Sequence, residues 1–192
     1  MKKFLTLMIA VAAMISFTAC EKDGGEEVLQ NEIVIGSDAY NLSGAICYCY
    51  INPEYETVEY DFYLTDKVYW DNNGDWEDED SYYANGVQVN IYNLYAKGVE
   101  EGKLPTGKFT YGNEWENLKH DGSTDYTLND ENGDTNWIEF GQEYVEESKL
   151  TIEIKHINGN IYEIKFTGGV DENGKPVNGY YKGEFDIIVD EY

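Results

Sequence analysis

Period-two alternation interrupted by asparagine-glycine turns restricts the fold of this chain more than any other feature. The cleanest run sets Leu150, Ile152 and Ile154 on one side of the backbone against Thr151, Glu153 and Lys155 on the other. Successive side chains of a strand point to opposite faces, so this is a strand with one face on a core. The same alternation marks Val58/Tyr60/Phe62/Leu64, Val87/Val89/Ile91, Tyr162/Ile164/Phe166 and Tyr181/Gly183/Phe185/Ile187/Val189. Further strands are expected over 32–36, 40–51, 107–112 and 136–144. Six Asn-Gly dipeptides, at 73–74, 85–86, 132–133, 158–159, 173–174 and 178–179, punctuate these runs. Asn-Gly supplies the positive φ that tight hairpin turns need, so neighbouring strands should be antiparallel. The clearest hairpin joins 149–156 to 160–167 through Ile157-Asn158-Gly159-Asn160. No segment of ten or more residues carries a 3.6-residue period, and the best helical candidate, Asn113 to His120, is barely two turns. The expected class is all-β: an antiparallel β-sandwich of about nine strands, with a small β-barrel as the alternative.

The N-terminus follows different rules. Met1-Lys2-Lys3 is basic and leads into an uncharged apolar stretch from Phe4 to Phe17, followed by Thr18-Ala19-Cys20. That is the order of an export signal, and it is shorter than the roughly 20 apolar residues that span a bilayer. Phe17-Thr18-Ala19-Cys20 has the form of a lipobox, with a small residue immediately before the cysteine. Residues 1–19 are therefore expected to be a lipoprotein signal peptide, with Cys20 the lipid-bearing first residue of the mature chain; an ordinary secretory signal is the alternative. Several acyl chains on one residue anchor stably, since each buried methylene contributes about 0.8 kcal/mol. Residues 20–30, polar and containing Gly24-Gly25 and Glu26-Glu27, suit a flexible tether, and 31–192 form one expected domain. A domain of that size buries about 70% of its unfolded surface and needs no staples.

Charge excludes one class of partner. The formal net charge is −25, and every basic residue is a lysine. Such a surface repels phosphates, so nucleic acid is not an expected partner, whereas cations and cationic surfaces stay in play. Cys47 and Cys49, two residues apart in a strand-like run, read as small buried hydrophobes, because that spacing rarely reaches disulfide geometry. The two histidines, His120 and His156, belong to no ligand-spaced motif, which argues against zinc.

Three stretches carry a family resemblance: Cys20-Glu21-Lys22-Asp23; Leu104 through Tyr111, LPTGKFTY; and Asp171 through Gly183, DENGKPVNGYYKG. With the lipobox and the strands, the chain resembles the small outer-membrane and surface lipoproteins of the Bacteroidetes. The resemblance implies lipid anchoring in the outer membrane, at the cell surface. Lys22 and Gly24 interrupt the acidic start that marks such proteins for the exterior, so its inner face stays open too. It carries over no functional residue. The second and third stretches also read structurally, as a Pro-x-Gly turn into a strand and a hairpin turn into a final strand.

Candidate chemistry sits in loops. Asp66 to Gly86, DKVYWDNNGDWEDEDSYYANG, is too long for an ordinary hairpin turn and mixes aromatics with seven acids. Trp70, Trp76, Tyr82 and Tyr83 are its candidate ligand-binding residues: flat rings cover the apolar face of a pyranose while carboxylates and amides bond its hydroxyls. Aromatic rings also simply fill sheets. Asp71-Asn72-Asn73-Gly74-Asp75 and Asp130-Glu131-Asn132-Gly133-Asp134 share the pattern Asp-x-Asn-Gly-Asp, which makes Asp71, Asn73, Asp75, Asp130, Asn132 and Asp134 candidate calcium ligands. Neither copy continues as an EF-hand loop, and Asp171-Glu172-Asn173-Gly174 repeats the first four positions, which points equally to a shared turn. No cofactor other than calcium is suggested. Neither a Gly-x-Ser-x-Gly elbow nor a His-Glu-x-x-His helix is present, and no two of the 38 acids single themselves out as an acid/base pair. The expected function is a surface-anchored, non-catalytic module that binds an extracellular glycan. The alternatives are a structural or adhesive protein-contact module and, third, a glycoside hydrolase-like enzyme.

Overall fold

The computed structural model describes residues 29–51, 56–66, 86–113, 116–129 and 135–191. Its elements are all strands: β1 (Glu32–Ile35), β2 (Asp38–Asn41), β3 (Gly44–Ile51), β4 (Thr57–Thr65), β5 (Val87–Lys97), β6 (Gly107–Tyr111), β7 (Lys119–His120), β8 (Thr124–Asn129), β9 (Thr135–Glu139), β10 (Thr151–Asn158), β11 (Ile161–Val170), β12 (Pro176–Glu184) and β13 (Asp186–Glu191). The all-β expectation holds. Among the described residues thirteen strands replace about nine: two expected strands are each divided by a corner, and two short ones, β7 and β8, are additional. The span from Asn113 to His120 forms no helix among its described residues; it ends in turns and β7.

The sheet is continuous, running β13-β3-β4-β5-β7-β6-β10-β11-β12-β1-β2, with β8 and then β9 branching from β5. It is curled around one core, and two-residue β7 is its narrowest point. On one side lie β13-β3-β4-β5-β8-β9, on the other β6-β10-β11-β12-β1-β2. Neighbours are antiparallel except at two pairs, β13 with β3 and β6 with β7. Both parallel contacts lie where the chain enters a different half of the sheet.

Two short corners carry the chain across the open seam. Leu42 and Ser43 separate β2, at one end of the strand order, from β3, near the other; the Leu42 N–H donates to the Asn31 carbonyl and that of Ser43 to the Thr65 carbonyl. Phe185 alone separates β12 from β13. Its ring is buried edge-on against Phe62, Tyr162 and Tyr181, with centroids 6.0, 6.0 and 5.4 Å away. The core is this aromatic group together with Phe140, Phe166, Tyr126 and the aliphatic inner faces of both halves.

The expected hairpin is present: β10 and β11 pair antiparallel, with Asn158 opposite Ile161 and Gly159-Asn160 as the turn. Gly159 supplies the positive φ of 52°. A register shift between His156 and Asn158 absorbs the extra residue.

Where β5 passes from pairing with β8 to pairing with β7, the backbone of Asn93 turns left-handed, at φ 54°. Asp61 accepts the Asn93 N–H at 2.8 Å, and Asp121 accepts the Asn93 side-chain amide while also taking the Ser123 N–H at 2.8 Å. These two carboxylates pin the branch point of the sheet.

Candidate functional site

The residues singled out for lipid, glycan and metal lie outside the described residues: Cys20; Trp70, Trp76, Tyr82 and Tyr83; Asp71, Asn73 and Asp75; Asp130, Asn132 and Asp134. What the structure fixes is where the aromatic loop is rooted. Its two ends meet at the tip of the β4–β5 hairpin, where the Asp66 N–H donates to the Val87 carbonyl at 3.1 Å.

The face of β3, β4 and β5 turned away from the core carries a chain of tyrosines. Tyr48 stacks on Tyr50 at 6.3 Å and meets Tyr63 edge-on at 5.6 Å, and Tyr63 meets Tyr92 edge-on at 5.8 Å. Carboxylates lie among them. Burial raises Asp61 to about 6, against an ordinary 3.8, with the neighbouring Asp121 adding to the rise and the Asn93 N–H opposing it. Asp125 is likewise raised to about 6, mainly by burial, although it accepts the Asn90 amide at 2.7 Å. Both groups are occupied by asparagine donors, which gives them a structural task before any catalytic one.

A more open arrangement lies beyond the core, at the end of β6 and the start of β10. A groove of about 520 Å³ is lined by Thr110, Tyr111, Gln142, Glu146, Lys149 and Thr151, with Leu150 beneath. Tyr111 is 51% exposed. Its ring is backed by the buried imidazole of His120, with centroids 6.3 Å apart. His120 is held neutral by burial, which lowers its pKa, and its Nε2 lies 3.3 Å from the Leu150 carbonyl. Gly122, at φ 91°, lets two turns close in behind the tyrosine: a Cβ there would come within 2.7 Å of the Glu143 nitrogen and 3.1 Å of Tyr111 Cδ2. Gln142 touches the Leu150 carbonyl with its Nε2 at a long 3.5 Å, and its Oε1 has no hydrogen-bond partner. The Gln142 Oε1 is itself buried, so what the groove offers is one fixed aromatic face, a carboxylate, an ammonium and two hydroxyls.

Sequence reasoning passed over Tyr111 for a physical reason. It has the same strand parity as buried Phe109, so alternation assigns it to the core, whereas the strand has already run past the core's end. Its partners Gln142, Glu146 and Lys149 come from turns between β9 and β10: the strand expected over 136–144 ends at Glu139, so Gln142 stands in a turn and not in a strand.

The third Asp-x-Asn-Gly copy is described, and it is a turn. Asp171 is buried; its Oδ1 accepts the N–H groups of Asn173 and Lys175 at 2.9 and 2.8 Å, and its Oδ2 accepts the Tyr126 hydroxyl at 2.8 Å. Both oxygens that could face a cation are used within the fold. Among the described residues no group of three or more His, Cys, Asp or Glu side chains is arranged to hold a metal. Cys47 and Cys49 are free and buried on the inner face of β3, in keeping with their reading as small hydrophobes. No family model, curated protein or solved structure matches the chain.

Proposed function

We propose that this protein is a lipid-anchored module of the outer membrane, at the cell surface, that binds an extracellular glycan without acting on it. The observation that carries the glycan reading is the Tyr111 groove: an exposed ring held rigid from behind, with polar groups of every hydrogen-bonding type around it. A pyranose presents a flat C–H face and a rim of hydroxyls, and this is the complement. The tyrosines and amides on the outer face of β3, β4 and β5 carry the same chemistry on a second face of the sheet. Lipid anchoring rests on the lipobox ending at Cys20.

Thermal melts of the protein against a panel of soluble polysaccharides test the glycan reading, since a ligand that binds only the folded state raises its midpoint. A glycan that raises the parent's midpoint should leave that of Tyr111→Ala nearly unmoved. Equal shifts in both proteins would remove the groove from the account, and no shift with any glycan would count against the reading as a whole. Anchoring is tested by fatty-acid labelling, which Cys20→Ala should abolish.

A protein-contact module is the second reading, favoured by one observation. Among the described residues β9 pairs with β8 alone, and its Trp137 is 56% exposed. Exposed aromatic side chains on a free strand edge suit strand addition or a flat protein interface. Trp137→Ala would weaken such a contact and leave glycan binding intact.

A further inference from the structure

A second concavity lies at the opposite end of the β6–β10 pair, about 16 Å along the strand from Thr151 to His156. Four segments build it. β5 ends at Lys97, and the chain turns at Gly98 and Gly102, both at positive φ, to run through Leu104-Pro105-Thr106 into β6. Tyr162 on β11 accepts the Leu104 N–H with its hydroxyl at 3.3 Å, pinning this segment over the core. Asn117 and Leu118 close one side, the Asn117 amide oxygen accepting the Lys97 N–H at 2.9 Å and the Leu118 N–H donating to the Tyr95 carbonyl at 2.8 Å. His156 closes the other, its ring 4.9 Å from that of Tyr162. The concavity is open to solvent and has a volume of about 450 Å³, within the range of small-ligand sites.

The charge of its lining is opposite in sense to that of the chain. With net charge −25 and only thirteen basic side chains, the protein places two of them, Lys97 and Lys103, around this one pocket. Lys103 has no side-chain partner among the described residues. Lys97 meets Glu56 at 3.7 Å, whose own side chain is 90% exposed; an exposed pair of this kind is worth little and is easily exchanged. Val99 and Leu118, half-buried, supply the apolar part of the lining, with buried Leu104 and Pro105 beneath. Glu100 is the one carboxylate in the lining and is itself exposed.

We infer that this pocket binds a carboxylated sugar ring, a hexuronate residue, whose carboxylate meets Lys97 and Lys103 while its C–H face rests on Val99 and Leu118. The inference stands on residues separate from those of the Tyr111 groove, and either site can fail without the other. A neutral sugar gives the two lysines nothing to neutralise, and a bare inorganic anion leaves the apolar lining unused, so the site distinguishes the acidic saccharide from both.

The test is a titration of the whole protein with tetragalacturonate, followed through the amide NMR signals of Gly98, Gly102, Leu104 and Asn117. Saturable shifts confined to these residues are expected. The fully methyl-esterified tetramer should give none, and Lys103→Ala should weaken binding about fivefold, the scale of one part-exposed ion pair. The Lys97→Ala/Lys103→Ala pair should abolish it, Tyr111→Ala should leave it unchanged, and raising the salt to 0.5 M should weaken it, as a screened contact requires. The inference is overturned if no saturable shift occurs, if the ester binds as well as the acid, if the lysine variants bind normally, or if inorganic sulfate competes as strongly as the uronate. Shifts clustered instead at Tyr111 and Gln142 would support the groove and overturn the pocket.

Discussion

Asp61→Asn tests whether the branch point of the sheet is built at a cost in charge. Asp61 is 8% exposed and is raised from 3.8 to about 6, burial being the chief cause and Asp121 the second. A carboxylate whose pKa is raised by folding favours the folded state fully below its unfolded value of 3.8, and that advantage is lost as pH rises through about 6. At pH 7.5 the ionised group therefore costs about 3 kcal/mol relative to its protonated form. Asparagine keeps an oxygen to accept the Asn93 N–H and removes the charge. The variant should be more stable than the parent by about 2 to 3 kcal/mol at pH 7.5, and by almost nothing at pH 4. With a urea slope of roughly 2 kcal/mol per molar, that is a midpoint rise of about 1 M at the higher pH. Urea unfolding across pH 4 to 8 measures it. Comparing the two proteins at each pH also removes the other titrations in this window: Asp125, raised to about 6 and acting in the same direction, and His120, lowered by burial and acting in the opposite one. A variant no more stable than the parent at pH 7.5, or one whose advantage persists unchanged at pH 4, would refute the reasoning.

Phe185→Ala should cost about 3 to 5 kcal/mol, because it empties the corner where three other rings meet, and calorimetric unfolding would show the fall. Asp171→Ala should cost about 3 kcal/mol by leaving two turn N–H groups and the Tyr126 hydroxyl without their acceptor, with hydrogen exchange rising first at Asn173 and Lys175. Gly179→Ala should cost about 1 to 3 kcal/mol, since the new Cβ would overlap the Phe166 ring, and a urea midpoint would register it. The Cys47 thiol, its pKa raised by burial, should resist alkylation in the native protein and react only as fast as the protein unfolds.

The strands were legible in the sequence because alternation and Asn-Gly turns are local; the path of the sheet was not. Tyr181, Gly183, Phe185, Ile187 and Val189 read as one strand, yet the chain changes halves at Phe185. Parity survives the corner because both halves face the same core, so the alternation that finds the strand conceals the turn. The run over 40–51 hides its corner differently: the inward parity changes from Tyr40 and Leu42 to Ala45, Cys47 and Cys49 across Leu42-Ser43, inside a stretch that is apolar on both faces. β8 escaped notice because its inward face has only Tyr126 and Leu128 to repeat, against Asp125 and Thr127 on the other, too short an alternation to stand out. The candidate grooves were illegible for a related reason: each joins residues from several segments, and Tyr111, Lys103 and His156 are unremarkable until the sheet curls and brings their neighbours to them.

Net charge misleads in a way the strand register corrects. On the outer face of β6, β10, β11 and β12, Lys108 stands opposite Glu153 and Glu153 opposite Lys165, while in the next row Lys155 stands opposite Glu163 and Glu163 opposite Lys182. Lys155 closes on Glu163 at 3.2 Å and on Glu153 at 3.4 Å. Opposite charges facing across strands support the sheet by a few tenths of a kcal/mol each and leave this face with no excess of acid. The surplus lies elsewhere, including the outer surface of β4, β5 and β8 with Asp61, Asp121 and Asp125, where it is buried enough to shift two of the three. An anionic ligand approaching the molecule therefore meets a patterned field, near neutral over the β6–β12 face, and can reach Lys97 and Lys103 at its margin without crossing the acidic one. The net charge of −25 alone would make added salt speed the association of an acidic saccharide by screening the repulsion, whereas attraction by the local lysines predicts that salt speeds it less than that, or slows it.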